Sequence, residues 1–286
     1  MSPNRPLPPA AFRRASLVLF AALPLLAGCG GNKSDEADET SNLPVDTLYN
    51  NGVDALNQQR YESAVDQFTK VEQNYPYSPW AVHAQLMDGY AQYLNNHYTD
   101  AIGTLDRYIQ LHPTSPDIAY AYYLRALCYY EQISDIQRDQ KGTVDAMNAL
   151  QQVVDRFPAT SYARDAQLKI DLCVDHLAGK EMSIGRWYQQ QHDYEAAIGR
   201  FQTVVNDFQT TNHVAEALAR LTEIYLVLGL PDEAKRTAAV LGYNYPGSVW
   251  YADTYRQLAA DGLVKGAPHP TGSGSGFFSR AWDWVF

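Results

Sequence analysis

The residue best placed for chemistry near the start of the chain is Cys29, whose thiol directly follows the segment Leu26–Gly28. Small residues before it let the chain enter a peptidase, and the thiol can accept a diacylglycerol group. An apolar run from Ala15 to Leu26 precedes it, behind arginines at positions 5, 13 and 14. This run is too short to span a bilayer permanently, but its length and flanking charge are typical of a signal peptide.

The segment ending at Cys29 resembles a bacterial lipobox. The resemblance implies that residues 1–28 are a signal peptide and that Cys29 becomes the mature N-terminus, carrying S-diacylglycerol and N-palmitoyl groups as a lipid anchor. The alternative is an ordinary secretory signal with a chance cysteine. An aspartate after the cysteine commonly retains lipoproteins in the inner membrane, and Gly30 stands there instead. The resemblance therefore implies a location at the periplasmic face of the outer membrane.

The other reactive side chains predict no catalytic or metal site. Cys128 and Cys173 lie in apolar helical contexts, where a disulfide is conceivable; we favour two buried thiols. The seven histidines are scattered without an HExxH pattern or a CxxC partner. We therefore expect no metal and no cofactor beyond the covalent lipid on Cys29.

Composition limits the class of partner. The 286 residues carry a formal charge of −10 with a pI near 5.1, which opposes binding to nucleic acid or to anionic headgroups. Residues 29–44 are Gly, Ser, Thr and charge, with too little apolar surface to fold, and predict a flexible lipidated tether. Protein partners are therefore expected, and no nucleic acid.

The elements that follow show helical rather than alternating periodicity, and the pattern repeats. Each repeat has an alanine, a second residue four positions later and usually a proline eight positions after that. The five copies are Ala64, Phe68 and Pro76; Ala101, Leu105 and Pro113; Ala146, Leu150 and Pro158; Ala197, Phe201 and Gln209; and Ala234, Ala238 and Pro246. Gly52, Gly89 and Gly185 stand twelve residues before three of these alanines, and Ala126 has the same role in the third unit once its longer loop is allowed for. Small residues there predict close helix packing.

This pattern resembles the tetratricopeptide repeat, in which each unit is a pair of antiparallel helices. The resemblance implies an all-α solenoid of about five helical hairpins, wound as a right-handed superhelix. The domain is predicted at 45–260, with units at about 45–77, 78–114, 115–160, 161–210 and 211–247 and a final helix at 248–260. Ser78 and Pro79, and Ser115 and Pro116, predict helix starts. Between residues 163 and 191 the sequence predicts one long helix or two nearly continuous ones.

Taken together, these features resemble the BamD family of outer-membrane assembly lipoproteins. The likeness covers roughly residues 26–260 and is carried by the lipobox, by segments 45–52 and 61–68, by the motif at 75–78 and by the long loop 133–143. It implies a non-enzymatic periplasmic scaffold of the β-barrel assembly complex. C-terminal units would dock on a POTRA domain of BamA, and N-terminal units would face unfolded outer-membrane protein precursors. Other Bam lipoproteins are implied as further partners.

The resemblance also implies residue roles. The family's docking arginine corresponds to Arg200, with Tyr194 beside it, and the alternative is a solvated surface arginine. A precursor groove lined by first helices would offer aromatic faces and hydroxyl groups suited to extended peptides. Its candidate residues are Tyr49, Asn50, Tyr90, Tyr93, Tyr122 and Tyr123. The alternative for each tyrosine is a place in the repeat core.

The C-terminal end departs from the repeat. Residues 261–276 are a linker rich in Gly, Ser and Pro, and residues 277–286 are an aromatic tail. As a helix, the tail places Phe278, Ala281, Trp282 and Val285 on one face, suited to a partner groove or a membrane interface. As a strand, it aligns Trp282, Trp284 and Phe286 and resembles the aromatic, phenylalanine-terminated signal of barrel precursors, which suggests an anchor in the precursor groove of its own or a neighbouring copy. The alternative is a disordered tail.

Two other functional classes compete with a scaffold. A helical-solenoid peptidoglycan hydrolase would need a separate cleft domain, and no segment outside the repeats is long enough to build one. A periplasmic tetratricopeptide protein that coordinates cell-wall synthesis is the closer rival. The lipobox and the N-terminal units argue against it. Because no segment outside the repeats is long enough for a catalytic cleft domain, we predict that the protein is not an enzyme.

Overall fold

The computed structural model describes residues 43–264, and every regular element in that range is an α-helix. The helices are α1 Val45–Asn57, α2 Tyr61–Asn74, α3 Pro79–Leu94, α4 Tyr98–Leu111, α5 Ile118–Tyr130, α6 Lys141–Arg156, α7 Ser161–Gln190, α8 Tyr194–Asp207, α9 His213–Val227, α10 Pro231–Asn244 and α11 Val249–Ala260. The predicted all-α class is confirmed. No helix in this part of the chain is long and apolar enough to cross a membrane.

The helices form five successive hairpins, α1–α2 to α9–α10, closed by α11. Each helix packs on its neighbour in sequence, and each first helix of a hairpin also contacts the first helix of the next. The contacts that skip one helix therefore link α1, α3, α5, α7, α9 and α11 in series. This arrangement confirms the predicted solenoid and gives the first helices one common layer.

Glycines in the first helices let the second helices approach closely. A β-carbon added to Gly52 would lie 2.6 Å from the Phe68 ring, and one added to Gly185 would lie 2.6 Å from the Phe201 ring. A β-carbon added to Gly89 would lie 2.9 Å from the Leu105 side chain. Because both phenylalanines are fully buried, they cannot simply move into solvent. The predicted reason for small residues at these positions is confirmed.

Side-chain capping marks several helix starts. The Ser78 hydroxyl accepts a hydrogen bond from the amide of Trp80 at 3.1 Å, with Pro79 at the first helical position. Thr160 and Ser248 cap α7 and α11 similarly. The expected start at Ser115 and Pro116 is wrong, since α5 begins at Ile118. The Ser115 hydroxyl accepts a hydrogen bond from the amide of Asp117 at 3.2 Å, before the helix begins, and also pairs with the hydroxyl of Tyr108, 2.7 Å away.

The 30-residue helix α7 belongs to two packing layers. Its first half contributes Ala166, Ile170 and Cys173 to the core of the third hairpin. Its second half contributes Met182 to a separate core shared with α8, α9, α10 and α11. The choice between one long helix and two nearly continuous ones is therefore settled as one helix that joins two hydrophobic cores.

Candidate functional site

Tyrosines from three first helices form a cluster in the N-terminal half, which we call the tyrosine surface. Its members are Tyr90, Tyr93, Tyr120, Tyr123 and Tyr162. The ring of Tyr162, in α7, lies 5.2 Å from the ring of Tyr123 and 5.6 Å from that of Tyr120, both in α5. All five side chains are half-buried. The cluster thus keeps part of each aromatic face accessible while its packing restrains the rings.

The phenol groups of this surface act as hydrogen-bond donors. The Tyr123 hydroxyl donates to the Asp165 carboxylate at 2.5 Å, and the Tyr93 hydroxyl lies 3.5 Å from the carboxylate of Glu131. Burial, with a further contribution from Glu131, raises the pKa of Tyr93 to about 12. Burial and neighbouring phenols raise the pKa of Tyr120 still more strongly. These hydroxyls therefore remain protonated at neutral pH, and those of Tyr123 and Tyr93, which already donate to carboxylates, can accept a hydrogen bond from a peptide N–H group.

The structure corrects the predicted place of Tyr122 in the groove. Its side chain is only 9% exposed and packs on Phe157, with a ring separation of 5.3 Å. The guanidinium groups of Arg125 and Arg156 lie 5.0 and 5.2 Å from its ring centroid. Tyr122 therefore belongs to the core of the third hairpin. Sequence reasoning missed Tyr120 and Tyr162, although helical spacing places Tyr120 and Tyr123 on one side of α5.

Tyr49 and Asn50 lie in α1, at the N-terminal end of the solenoid. The ring of Tyr49 lies 4.9 Å from the ring of Trp80 and 5.6 Å from that of Phe68. Asn50 is exposed, and Trp80 retains 38% exposure. These residues form a second aromatic patch with an amide next to it, which could lengthen a peptide-binding surface along the first helices.

Arg200 in α8 is held by Glu181 in α7. One guanidinium nitrogen, Nη1, lies 3.0 and 3.3 Å from the two carboxylate oxygens of Glu181. The arginine side chain remains 43% exposed, whereas that of Glu181 is 19% exposed. Because a guanidinium group carries five N–H donors, Arg200 retains donors for a second carboxylate. Tyr194, in the first turn of α8, shares a hydrogen bond with Nδ1 of His192 at 2.9 Å.

A charge network lies beside this pair, between α7 and α9. Arg186 contacts both carboxylate oxygens of Glu216 at 3.1 Å, and Arg220 bridges Glu216 and Glu223. The Arg220 guanidinium also lies 5.4 Å from the ring centroid of Trp250. Sequence reasoning gave no sign of this network, because Arg186 and Glu216, which join the two helices, are 30 residues apart in the chain. It fixes the second half of α7 against α9.

Of the remaining predicted site residues, two cysteines lie in the core and four residues lie outside the part of the chain that the structure describes. Cys128 and Cys173 are buried free thiols, and burial raises their pKa values to about 12 and about 11, which makes them unreactive. Within residues 43–264, no group of three His, Cys, Asp or Glu side chains is arranged to hold a metal. Cys29 and the tail residues Trp282, Trp284 and Phe286 lie outside the described residues.

Comparison with known proteins gives a consistent result. Residues 41–241 match the family described as YfiO, outer membrane lipoprotein. A Caulobacter vibrioides protein named outer membrane protein assembly factor BamD is 51% identical over 86% of this chain and 80% of its own length. A Rickettsia prowazekii protein of the same name is 46% identical over 84% and 95% of the two chains, and one from Neisseria meningitidis is 34% identical over 78% and 88%. The chain therefore belongs to the BamD family of outer membrane lipoproteins.

Proposed function

We propose that this protein is a non-enzymatic scaffold for the assembly of outer-membrane β-barrel proteins, anchored by lipid on Cys29 at the periplasmic face of the outer membrane. Its family membership and the names of its relatives support a role in outer-membrane protein assembly. The solenoid suits a scaffold because its hairpins present extended surfaces for protein ligands. The lipobox resemblance supports the anchor.

The tyrosine surface is the proposed binding site for unfolded barrel precursors. Aromatic rings with hydroxyl groups suit extended peptides, since the rings contact apolar side chains and the hydroxyl oxygens can form hydrogen bonds with the peptide backbone. The observation that carries this proposal is the packing of Tyr120, Tyr123 and Tyr162 across two successive first helices. Tyr90 and Tyr93 extend the same surface toward the N-terminal units.

A photo-crosslinking experiment tests this site. A photoreactive phenylalanine analogue at Tyr90 or Tyr93, in the full-length lipoprotein in detergent, should crosslink to an added precursor peptide that ends in phenylalanine. The matched control places the analogue at Gln151, an exposed position on α6 in the second-helix layer. Equal crosslinking from both layers would contradict the proposal.

The C-terminal units are the proposed docking site for a POTRA domain of BamA, with Arg200 and Tyr194 in the contact. The side chain of Arg200 is 43% exposed and retains free donors while Glu181 holds it. An acidic group on the partner could therefore bind Arg200 without breaking the pair. Co-purification of BamA from detergent-solubilised envelopes, compared between the native chain and Arg200→Glu, tests this contact.

A further inference from the structure

A cleft of about 470 Å³ lies among α2, α3 and α4, in the range of volumes that hold small ligands or single side chains. Carboxylates from Glu72 in α2 and Asp88 in α3 line it, with the Gln85 amide one turn before Asp88. Arg107 comes from α4, and apolar groups, including Val82, complete the walls. Two acids therefore face one arginine, with His112 also in the lining, so the cleft is net negative when both acids are ionised and the imidazole is neutral.

Asp88 is a buried carboxylate without a direct cationic partner. It is 3% exposed, and its hydrogen bond comes from the Gln92 amide at 3.0 Å. Arg107 acts on Asp88 and on Glu72 through space, but within residues 43–264 neither acid forms an ion pair with it. Burial, reinforced by Glu72, raises the pKa of Asp88 to about 7. A carboxylate in such a place gains strongly from a cation that enters the cleft.

Gln85 gives an independent indication of a ligand. Its side chain is 4% exposed and lines the cleft. In the described part of the chain, its amide group makes no hydrogen bond. Its polar atoms are open to the cleft and not sealed inside the core, so a polar ligand that enters can form hydrogen bonds with them in place of water. The amide oxygen of Gln85 and the free carboxylate oxygen of Asp88 are both acceptors that a donor-rich ligand could satisfy.

The chemistry of the lining selects one class of ligand. An anion would meet two carboxylates, and a metal ion lacks a third ligand, because residues 43–264 contain no suitable cluster of three. An organic monocation balances the net charge, and an alkyl stem can pack on the apolar wall. We propose that this cleft binds a lysine or arginine side chain of a partner protein, with its charged head between Asp88 and Glu72 and a hydrogen bond to Gln85.

This site is separate from the tyrosine surface and goes beyond the proposed function. Asp88 and Tyr90 are two residues apart on α3, which places them about 200° apart around the helix axis. The cleft therefore opens on a different side of α3 from the proposed precursor site. A partner bound in the cleft would leave the tyrosine surface free, so the two sites could be occupied together.

The test uses the full-length chain in detergent and N-acetyl-arginine methylamide as the probe, followed through the carboxyl carbon resonances of labelled aspartates. We expect saturable binding in the millimolar range, with the largest change at Asp88 and a fall in its pKa as the cation binds. Asp88→Asn should weaken binding at least about tenfold, which corresponds to about 1.4 kcal/mol. Gln85→Leu should weaken binding several-fold.

Matched controls separate the proposal from general electrostatics. Asp171→Asn removes an exposed acid on α7 and should leave binding unchanged, and an uncharged norleucine probe should not bind. Asp88→Asn nearly preserves the shape of the side chain, and melting curves check that the variant is folded. Glu72→Gln provides a second variant at the same cleft. Equal binding by Asp88→Asn and the native chain, equal binding of the norleucine probe, or non-saturating changes at many aspartates would each overturn the proposal.

Discussion

Arg200 and Glu181 face each other across the fourth hairpin, with Nη1 of the arginine 3.0 Å from a carboxylate oxygen of the glutamate. The glutamate is the less exposed partner, so it limits the positions that the guanidinium group can adopt. A docking arginine that is already oriented loses less conformational entropy when its partner binds. The pair therefore prepares Arg200 for the proposed contact.

The first prediction concerns this orientation. Glu181→Gln should weaken BamA co-purification less than Arg200→Glu, which introduces repulsion as well as removing donors. Because the pair is partly exposed, the free energy of unfolding should change by about 1 kcal/mol or less. Arg236→Glu is the control, since Arg236 is an exposed arginine paired with Glu233 on α10. Loss of BamA from all three variants would show a general charge effect instead.

The second prediction tests the close helix approach. Gly52→Ala should lower the free energy of unfolding by about 1–3 kcal/mol, because the new methyl group overlaps the buried ring of Phe68. Gly103→Ala in α4 is the matched control, since nothing lies within 4 Å of the added carbon. It should stabilise the protein by about 0.5–1 kcal/mol. Denaturant unfolding measures both, and equal effects would contradict the packing argument.

The third prediction distinguishes Tyr122, in the core, from Tyr90, on the tyrosine surface. Tyr122→Ala should cost about 3–5 kcal/mol, as expected for removal of a buried aromatic ring. Tyr90→Ala should cost less, because its side chain is only half-buried, yet it should reduce crosslinking of the precursor peptide. Thermal melting and photo-crosslinking from Tyr93 measure the two effects. If Tyr90→Ala left crosslinking intact and Tyr122→Ala abolished it in folded protein, the assignments would have to be exchanged.

The fourth prediction concerns pH. The pKa of Asp88 is raised to about 7 in the folded protein, so between its unfolded value near 4 and pH 7 the folded state binds more protons. The free energy of unfolding should therefore fall as pH rises from about 4 to 7 and level off above that. Glu72, whose pKa is also raised by burial, acts in the same direction. Asp88→Asn should flatten the profile and raise stability at pH 8, as measured by urea titrations.

The repeat could be predicted from sequence because its signals are local. Alanine, a bulky residue four positions later and a small residue twelve positions earlier all belong to one hairpin, and their spacing survives the unequal loops. Ser115 shows where this reasoning fails. Its hydroxyl binds the amide of Asp117 in the turn before α5 and also Tyr108, a side chain of the preceding helix, and no local motif predicts that second contact.

The site was less predictable because it depends on how helices pack together. Tyr122 and Tyr123 are adjacent tyrosines in an apolar helix, and sequence alone does not show which of them faces Phe157. The partner of Arg200 lies 19 residues upstream on another helix, so its identity depends on how α7 and α8 are aligned. Periodicity identifies a face of a helix, but the neighbour that covers it comes only from the structure.

The shared helix α7 has a mechanical consequence. Thirty residues at about 1.5 Å each make a rod of roughly 45 Å, anchored at one end by the third hairpin and at the other by the charge network around Glu216. Tyr162 and Asp165 lie near one end of this rod and Glu181 near the other. A force applied at the proposed contact of Arg200 would therefore be transmitted along one continuous helix to the aromatic rings of the proposed precursor site.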